Sequence, residues 1–108
     1  MVIYNITFVM DPKREQEFLA WMRDEAIAQL FNSESIARNP RLQTVIEAGG
    51  KKPDADHGLS IALQAEFDTA DHAHTWNDVT LPPVLGEFTA KFGPHALFFA
   101  TLLEVLPL

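Results

Sequence analysis

In Leu59-Ser60-Ile61-Ala62-Leu63-Gln64-Ala65-Glu66-Phe67 every second residue is apolar. Leu59, Ile61, Leu63, Ala65 and Phe67 share one face; Ser60, Ala62, Gln64 and Glu66 share the other. Side chains alternate across a strand, so this period of two predicts a half-buried β-strand. The same parity runs from Val2 to Met10, where Tyr4, Ile6 and Phe8 face one way and Asn5 and Thr7 the other. Two further strands are expected, over Arg41 to Ala48 and over Ala96 to Leu106, the last apolar on both faces.

Helical patterns separate these strands. Asp11-Pro12 supplies a capping carboxylate and a proline at the first helical position. Phe18, Met22, Ala26 and Leu30 then recur every four residues, with Trp21 on the flank of that stripe. Lys13, Glu17 and Asp24 fall on the wet side, and Gln29 fits the pattern poorly. Asp68-Thr69 caps a second helix over Ala70 to Val79. Leu81-Pro82-Pro83 is expected to interrupt it before Val84 to Phe92 resumes, and Gly93-Pro94 to end it. Asn39-Pro40 and the run Gly49 to Asp54 read as breaks and turns.

The order strand, helix, strand, strand, helix, strand is the split βαβ arrangement. Right-handed crossovers turn it into an α+β, ferredoxin-like domain over residues 1–108. Its antiparallel sheet would run in spatial order 4-1-3-2, with both helices on one face.

Composition narrows the function. A chain of 108 residues that is 47% hydrophobic can bury its own core. The absence of cysteine excludes a disulfide scaffold, a thiolate nucleophile and cysteine-ligated metals. A net charge of −7 argues against nucleic acid and against acidic membranes as partners. The start of the chain carries no basic leader, and no run reaches the roughly 20 apolar residues that span a bilayer. A cytoplasmic protein is expected.

Two helices cover one side of a four-stranded sheet. The other side would carry Asn5, Thr7, Gln43, Val45, Ser60, Ala62, Gln64 and Glu66, together with one apolar face of the last strand. Monomers rarely expose a large apolar patch, so a homodimer through this open face is expected, its polar groups turned toward a shared interior.

Val2-Ile3-Tyr4-Asn5-Ile6-Thr7, Phe18-Leu19-Ala20-Trp21-Met22, Asn39-Pro40-Arg41-Leu42, Ser60-Ile61-Ala62-Leu63-Gln64, Lys91-Phe92-Gly93 and Thr101-Leu102-Leu103-Glu104 together resemble a family of small bacterial proteins classed as a domain of unknown function. That family is similar to the dimeric α/β-barrel superfamily, which implies a face-to-face dimer. Relatives implied by the resemblance include cofactor-free monooxygenases, haem-degrading enzymes, lactone isomerases and stress-response proteins without known catalysis. The haem-degrading relatives use an Asn on the first strand with a Trp and a His on the second helical segment. Asn5 and Trp76 match two of these positions; Pro82, Pro83 and Gly86 stand where the histidine would be.

Few residues offer chemistry. His72 and His74 are two apart on a helix and point about 200° apart, so they do not chelate one ion. Asp71 and His74 read as an ordinary surface pair. His57 and His95 open the third and fourth strands, about 9 to 10 Å apart at one rim, too far to share a zinc ion. Neither a metal nor a cofactor is expected. Glu66 and Glu104 are the acids in strand interiors. The candidate pocket is therefore Asn5, Thr7, Gln64 and Glu66, with His74 and Trp76 at its mouth. It would suit a small apolar ligand in a non-enzymatic homodimer. The alternative is a cofactor-free monooxygenase or isomerase acting on a small aromatic or polyketide-like substrate. There an amide would bind a developing oxyanion and Glu66 would serve as base.

Overall fold

The computed structural model of the protein describes residues 1–46, 58–93 and 95–108. Four strands, β1 (Val2–Met10), β2 (Arg38–Thr44), β3 (Leu59–Phe67) and β4 (Leu97–Glu104), form one antiparallel sheet in the order β2-β3-β1-β4. This is the expected order read from the opposite edge. Two helices, α1 (residues 12–30) and α2 (residues 70–92), pack on one face. The expected turn at Gly49 to Asp54, the last two residues (47–48) of the expected second strand, His57 and Pro94 lie outside the described residues.

Strand parity holds. Tyr4 stands opposite Ala65, Ile6 opposite Leu63 and Phe8 opposite Ile61, and all six are buried under the helices. β2 begins three residues earlier than expected, at Arg38. Asn39-Pro40 does not end the pairing but bulges it: Arg38 faces Glu66, and the next pair is Arg41 with Gln64. The extra residue is accommodated because Asn39 adopts φ 51°, a left-handed conformation that asparagine tolerates better than most residues. At the other end the ladder runs on past Thr44, since Val45 N–H donates to the Ser60 carbonyl at 2.9 Å.

Both helices owe their buried stripes to π-turns. In α1, Phe18, Met22, Ala26 and Leu30 are all buried at a strict four-residue spacing, which an α-helix of 3.6 residues per turn would let drift. The wider turn at Met22–Ala26, in which Ile27 N–H reaches the Met22 carbonyl, holds the stripe in line. In α2 the turn Trp76–Thr80 carries the five-residue step from buried Trp76 to buried Leu81.

The same turn corrects the expected break. α2 continues through Pro82 and Pro83 to Phe92. Prolines inside a helix lack a donor and crowd the carbonyls four residues back, here those of Asp78 and Val79. Both carbonyls belong to the π-turn, where i to i+4 bonding has already been given up. At the helix starts, the Asp11 side chain accepts from Lys13 N–H and Thr69 Oγ1 accepts from His72 N–H, as the capping residues foretold.

Two aromatic groups fill the space between layers. Phe8, Phe18, Trp21, Phe88 and Phe92 meet at one end, with the Phe8 and Phe88 rings 4.8 Å apart. Tyr4, Phe67, Trp76 and Phe31 meet at the other, with Tyr4 and Trp76 at 5.2 Å. Trp76 Nε1 donates to the Leu30 carbonyl at 3.1 Å, which ties the end of α1 to the middle of α2. Glu87 spans the helix seam by accepting long bonds of 3.3 Å from Trp21 Nε1 and from Gln29, the residue that broke the stripe.

Tyr4 anchors α2 to the sheet. Its hydroxyl donates to Asn77 Oδ1, and Asn77 Nδ2 donates to Asp78 Oδ1 at 3.0 Å. Burial pushes the phenol above its ordinary value, and the nearby Asp78 carboxylate pushes it further.

Two outcomes follow from this packing. Phe88→Ala removes a ring touching both helices and the sheet and is expected to cost about 3 to 5 kcal/mol, read as a lower urea midpoint. In the unfolded chain Tyr4 titrates near 10.0, whereas the native state keeps its proton to higher pH. Stability is therefore undiminished by this group below pH 10 and falls as pH climbs through the raised folded value. Tyr4→Phe is expected to flatten that alkaline loss in urea titrations between about pH 8 and 11. Parallel curves for the two proteins would mean that the phenol ionises freely.

Candidate functional site

The sheet separates the six expected site residues. Asn5, Thr7, Gln64 and Glu66 lie on the open face; His74 lies on the helix side; Trp76 is only 1% exposed, packed between the layers. Trp76 therefore forms no pocket mouth. The indole is apolar enough to be drawn into the core, and the polar His74, Asn77 and Asp78 around it occupy other sides of the helix. Asn5 and Trp76 stand on opposite faces of the sheet, so the pair matched to the haem-degrading pattern does not share a site.

Register makes the open face more ordered than parity alone implied. Arg41 stands opposite Gln64, Gln64 opposite Asn5, and Asn5 opposite Thr101. A guanidinium, two amides and a hydroxyl thus cross all four strands in one row. Adjacent strands are about 4.8 Å apart, which gives the row a span of about 14 Å. Among the described residues no side-chain hydrogen bond satisfies Asn5 or Gln64. Glu66 is less available: it accepts from Asn39 Nδ2 across the bulge. Arg38, its strand neighbour, pairs instead with Asp68 at 2.6 Å. Beside the polar row lies an apolar strip on β4, in which Leu97 is 61%, Phe99 58% and Leu103 51% exposed.

On the helix side, a cleft of about 290 Å³ opens between α2 and β4, lined by Tyr4, His74, Asn77, Ala100, Thr101 and Leu102. Tyr4 and Asn77 escaped the sequence reading. Tyr4 counts there as one more core aromatic, and only the hydroxyl bond to Asn77 marks it as polar. The Tyr4 O–H is committed to Asn77, so its oxygen offers the cleft an acceptor, with the His74 imidazole alongside. Asp71 and His74 are both exposed, but no ion pair joins them. A second cleft, of about 320 Å³, lies between α1 and β2, with Leu19, Arg23 and Ile27 on one wall. His95 borders a third opening with Val9, Asp11 and Lys13. Among the described residues no three His, Asp or Glu side chains come together as a metal site, and no helix is long and apolar enough to cross a membrane.

The fold recurs in solved structures of low sequence identity. A candidate antibiotic biosynthesis monooxygenase from Deinococcus radiodurans superposes with a TM-score of 0.63 at 15% identity, covering 100% of this chain and 95% of that one. An uncharacterised NIPSNAP domain protein from Burkholderia xenovorans gives 0.63 at 16%, covering 98% and 95%. An EthD family protein from Bacillus halodurans gives 0.62 at 14%, covering 98% and 100%. At such identities the likeness establishes the ferredoxin-like fold and no activity. No curated protein matches the chain in sequence. The sequence profile of the domain of unknown function DUF4286 matches residues 1–106, and the chain belongs to that family.

Proposed function

We propose that the protein is a homodimer joined through the open sheet face, and that the seam binds a small apolar or aromatic ligand. The observation that carries this is the strip of Leu97, Phe99 and Leu103, each more than half exposed, beside the amides of Asn5 and Gln64, which have no side-chain hydrogen-bond partner among the described residues. A patch of that kind is costly in water, and the cost is removed when two sheets stack about 10 Å apart. Amides inside such a seam need partners, and a bound ligand or the facing row would supply them. The homodimer would work in a bacterial cytoplasm, in keeping with a cysteine-free chain and with the bacterial sources of the three structural relatives.

A second function has one observation in its favour. The cleft holding the Tyr4 hydroxyl and the His74 imidazole resembles a site for acid–base work, as a cofactor-free monooxygenase or isomerase requires. One structural relative is named as a candidate monooxygenase. Glu66 would not be its base, being held by Asn39 on the other side of the sheet. His74 would take that role on a small aromatic or polyketide-like substrate.

Sedimentation at micromolar concentration is expected to return a particle of at least twice 12.1 kDa, and Asn5→Arg to halve its mass by placing a charge in the seam. A wild-type particle of 12.1 kDa removes the dimer. Thermal-shift screening with phenols and aromatic carboxylates is expected to yield a stabilising ligand, worth about 2.7 kcal/mol at a hundredfold excess over Kd. Asn5→Ala and Gln64→Ala should lose that shift; a ligand whose shift survives both substitutions binds elsewhere. For the oxidative alternative, oxygen-electrode traces with the same phenols should show uptake that His74→Ala abolishes. Flat traces with wild-type protein dispose of it.

A further inference from the structure

The two edges of the sheet are unlike. β2 is guarded by a bulge at Asn39, by Pro40, which has no N–H to offer, and by Arg38 and Arg41. These are devices that keep a sheet from recruiting another strand. β4 has none of them. Leu97-Phe98-Phe99-Ala100-Thr101-Leu102-Leu103 is seven residues without charge, proline or glycine, in a chain that is 21% charged. It pairs with β1 in unbroken register, and among the described residues no strand pairs with its outer side. A long, regular, apolar edge is a template for strand addition.

We propose that the outer edge of β4 receives the β4 strand of a second copy, antiparallel, about a two-fold axis at Ala100. The guarded β2 edge disfavours head-to-tail addition, which would grow a fibre. Edge β4 on edge β4 is isologous and closes at two copies. The register follows from charge. Pairing the whole uncharged run with itself puts Leu97 opposite the partner's Leu103, Phe98 opposite the partner's Leu102 and Ala100 opposite the partner's Ala100. Glu104 is then left outside. Shifting by two residues either sets Glu104 against the partner's Phe98 or shortens the paired run to five. An added strand also walls the open side of the cleft at Tyr4, His74 and Asn77, whose rim is Ala100 to Leu102.

This contact is independent of the face-to-face seam. Ala100 stands opposite Ile6, on the helix side of the sheet, so stacking two open faces cannot bring two copies of it together. A chain that makes both contacts would assemble beyond a dimer.

The chain has no cysteine, so one introduced thiol reports one contact. Opposed residues of an antiparallel pair have Cα atoms about 4.5 to 5.5 Å apart, within disulfide range. Full-length Ala100→Cys, mildly oxidised at micromolar concentration, is expected to form a disulfide dimer about tenfold or more faster than Val79→Cys, an exposed α2 position that sets the collision rate. The rate should rise with salt, which screens the repulsion between two chains of charge −7. It should persist when Asn5→Arg is added, which separates this contact from the seam. Ala100 is exposed, so Ala100→Lys should fold and lower the particle mass. Cross-linking of Ala100→Cys at the Val79→Cys rate, or an unchanged mass for Ala100→Lys, overturns the proposal.

Discussion

Two helices can cover only one face of a four-stranded sheet, and most of this molecule's features follow from that shortage. The covered face gathers Tyr4, Ile6, Phe8, Ile61, Leu63 and Phe67 into a dry layer. The face turned away from the helices keeps the complementary set from the same strands, since alternation sends every second side chain there. Polar groups collect along β1 and β3, and apolar ones along β4.

Adaptation of the helices to the sheet shows the same economy of means. A strict four-residue stripe and a pair of mid-helix prolines are each awkward for an α-helix. A π-turn in each helix resolves both, and it leaves Trp21 and Trp76 at corresponding places just before or at the wide turn. The two indoles then seed separate aromatic groups, one at each end of the sheet. Buried aromatic pairs of this kind add about 0.5 to 1.5 kcal/mol each beyond simple burial. Tyr4 is the exception within the layer, since its hydroxyl reaches Asn77 and gives the core a polar outlet next to β4.

The chain belongs to a domain-of-unknown-function family, and its structural relatives carry unlike names on one backbone. Function therefore has to be sought in surfaces. Three lie close together around β4: the apolar strip on the open face, the outer edge, which no described strand pairs, and the Tyr4 cleft on the helix side.

Strand identity, strand order and the face assigned to each residue of β1 and β3 were legible in the sequence, because a period of two is a local property and burial enforces it. The caps at Asp11 and Thr69 were legible for the same local reason. What neighbouring residues could not disclose was distance across the fold. The bulge at Asn39 depends on Arg38 and Arg41 pairing with Glu66 and Gln64, and the uninterrupted α2 depends on the π-turn that carries the step from Trp76 to Leu81. In the grouping of Asn5, Thr7, Gln64, Glu66, His74 and Trp76, the sheet stands between the four strand residues and the two helix residues. Alternation assigns a strand residue to one face or the other, but it says nothing of where helix residues such as His74 and Trp76 come to lie over the sheet; only packing decides that.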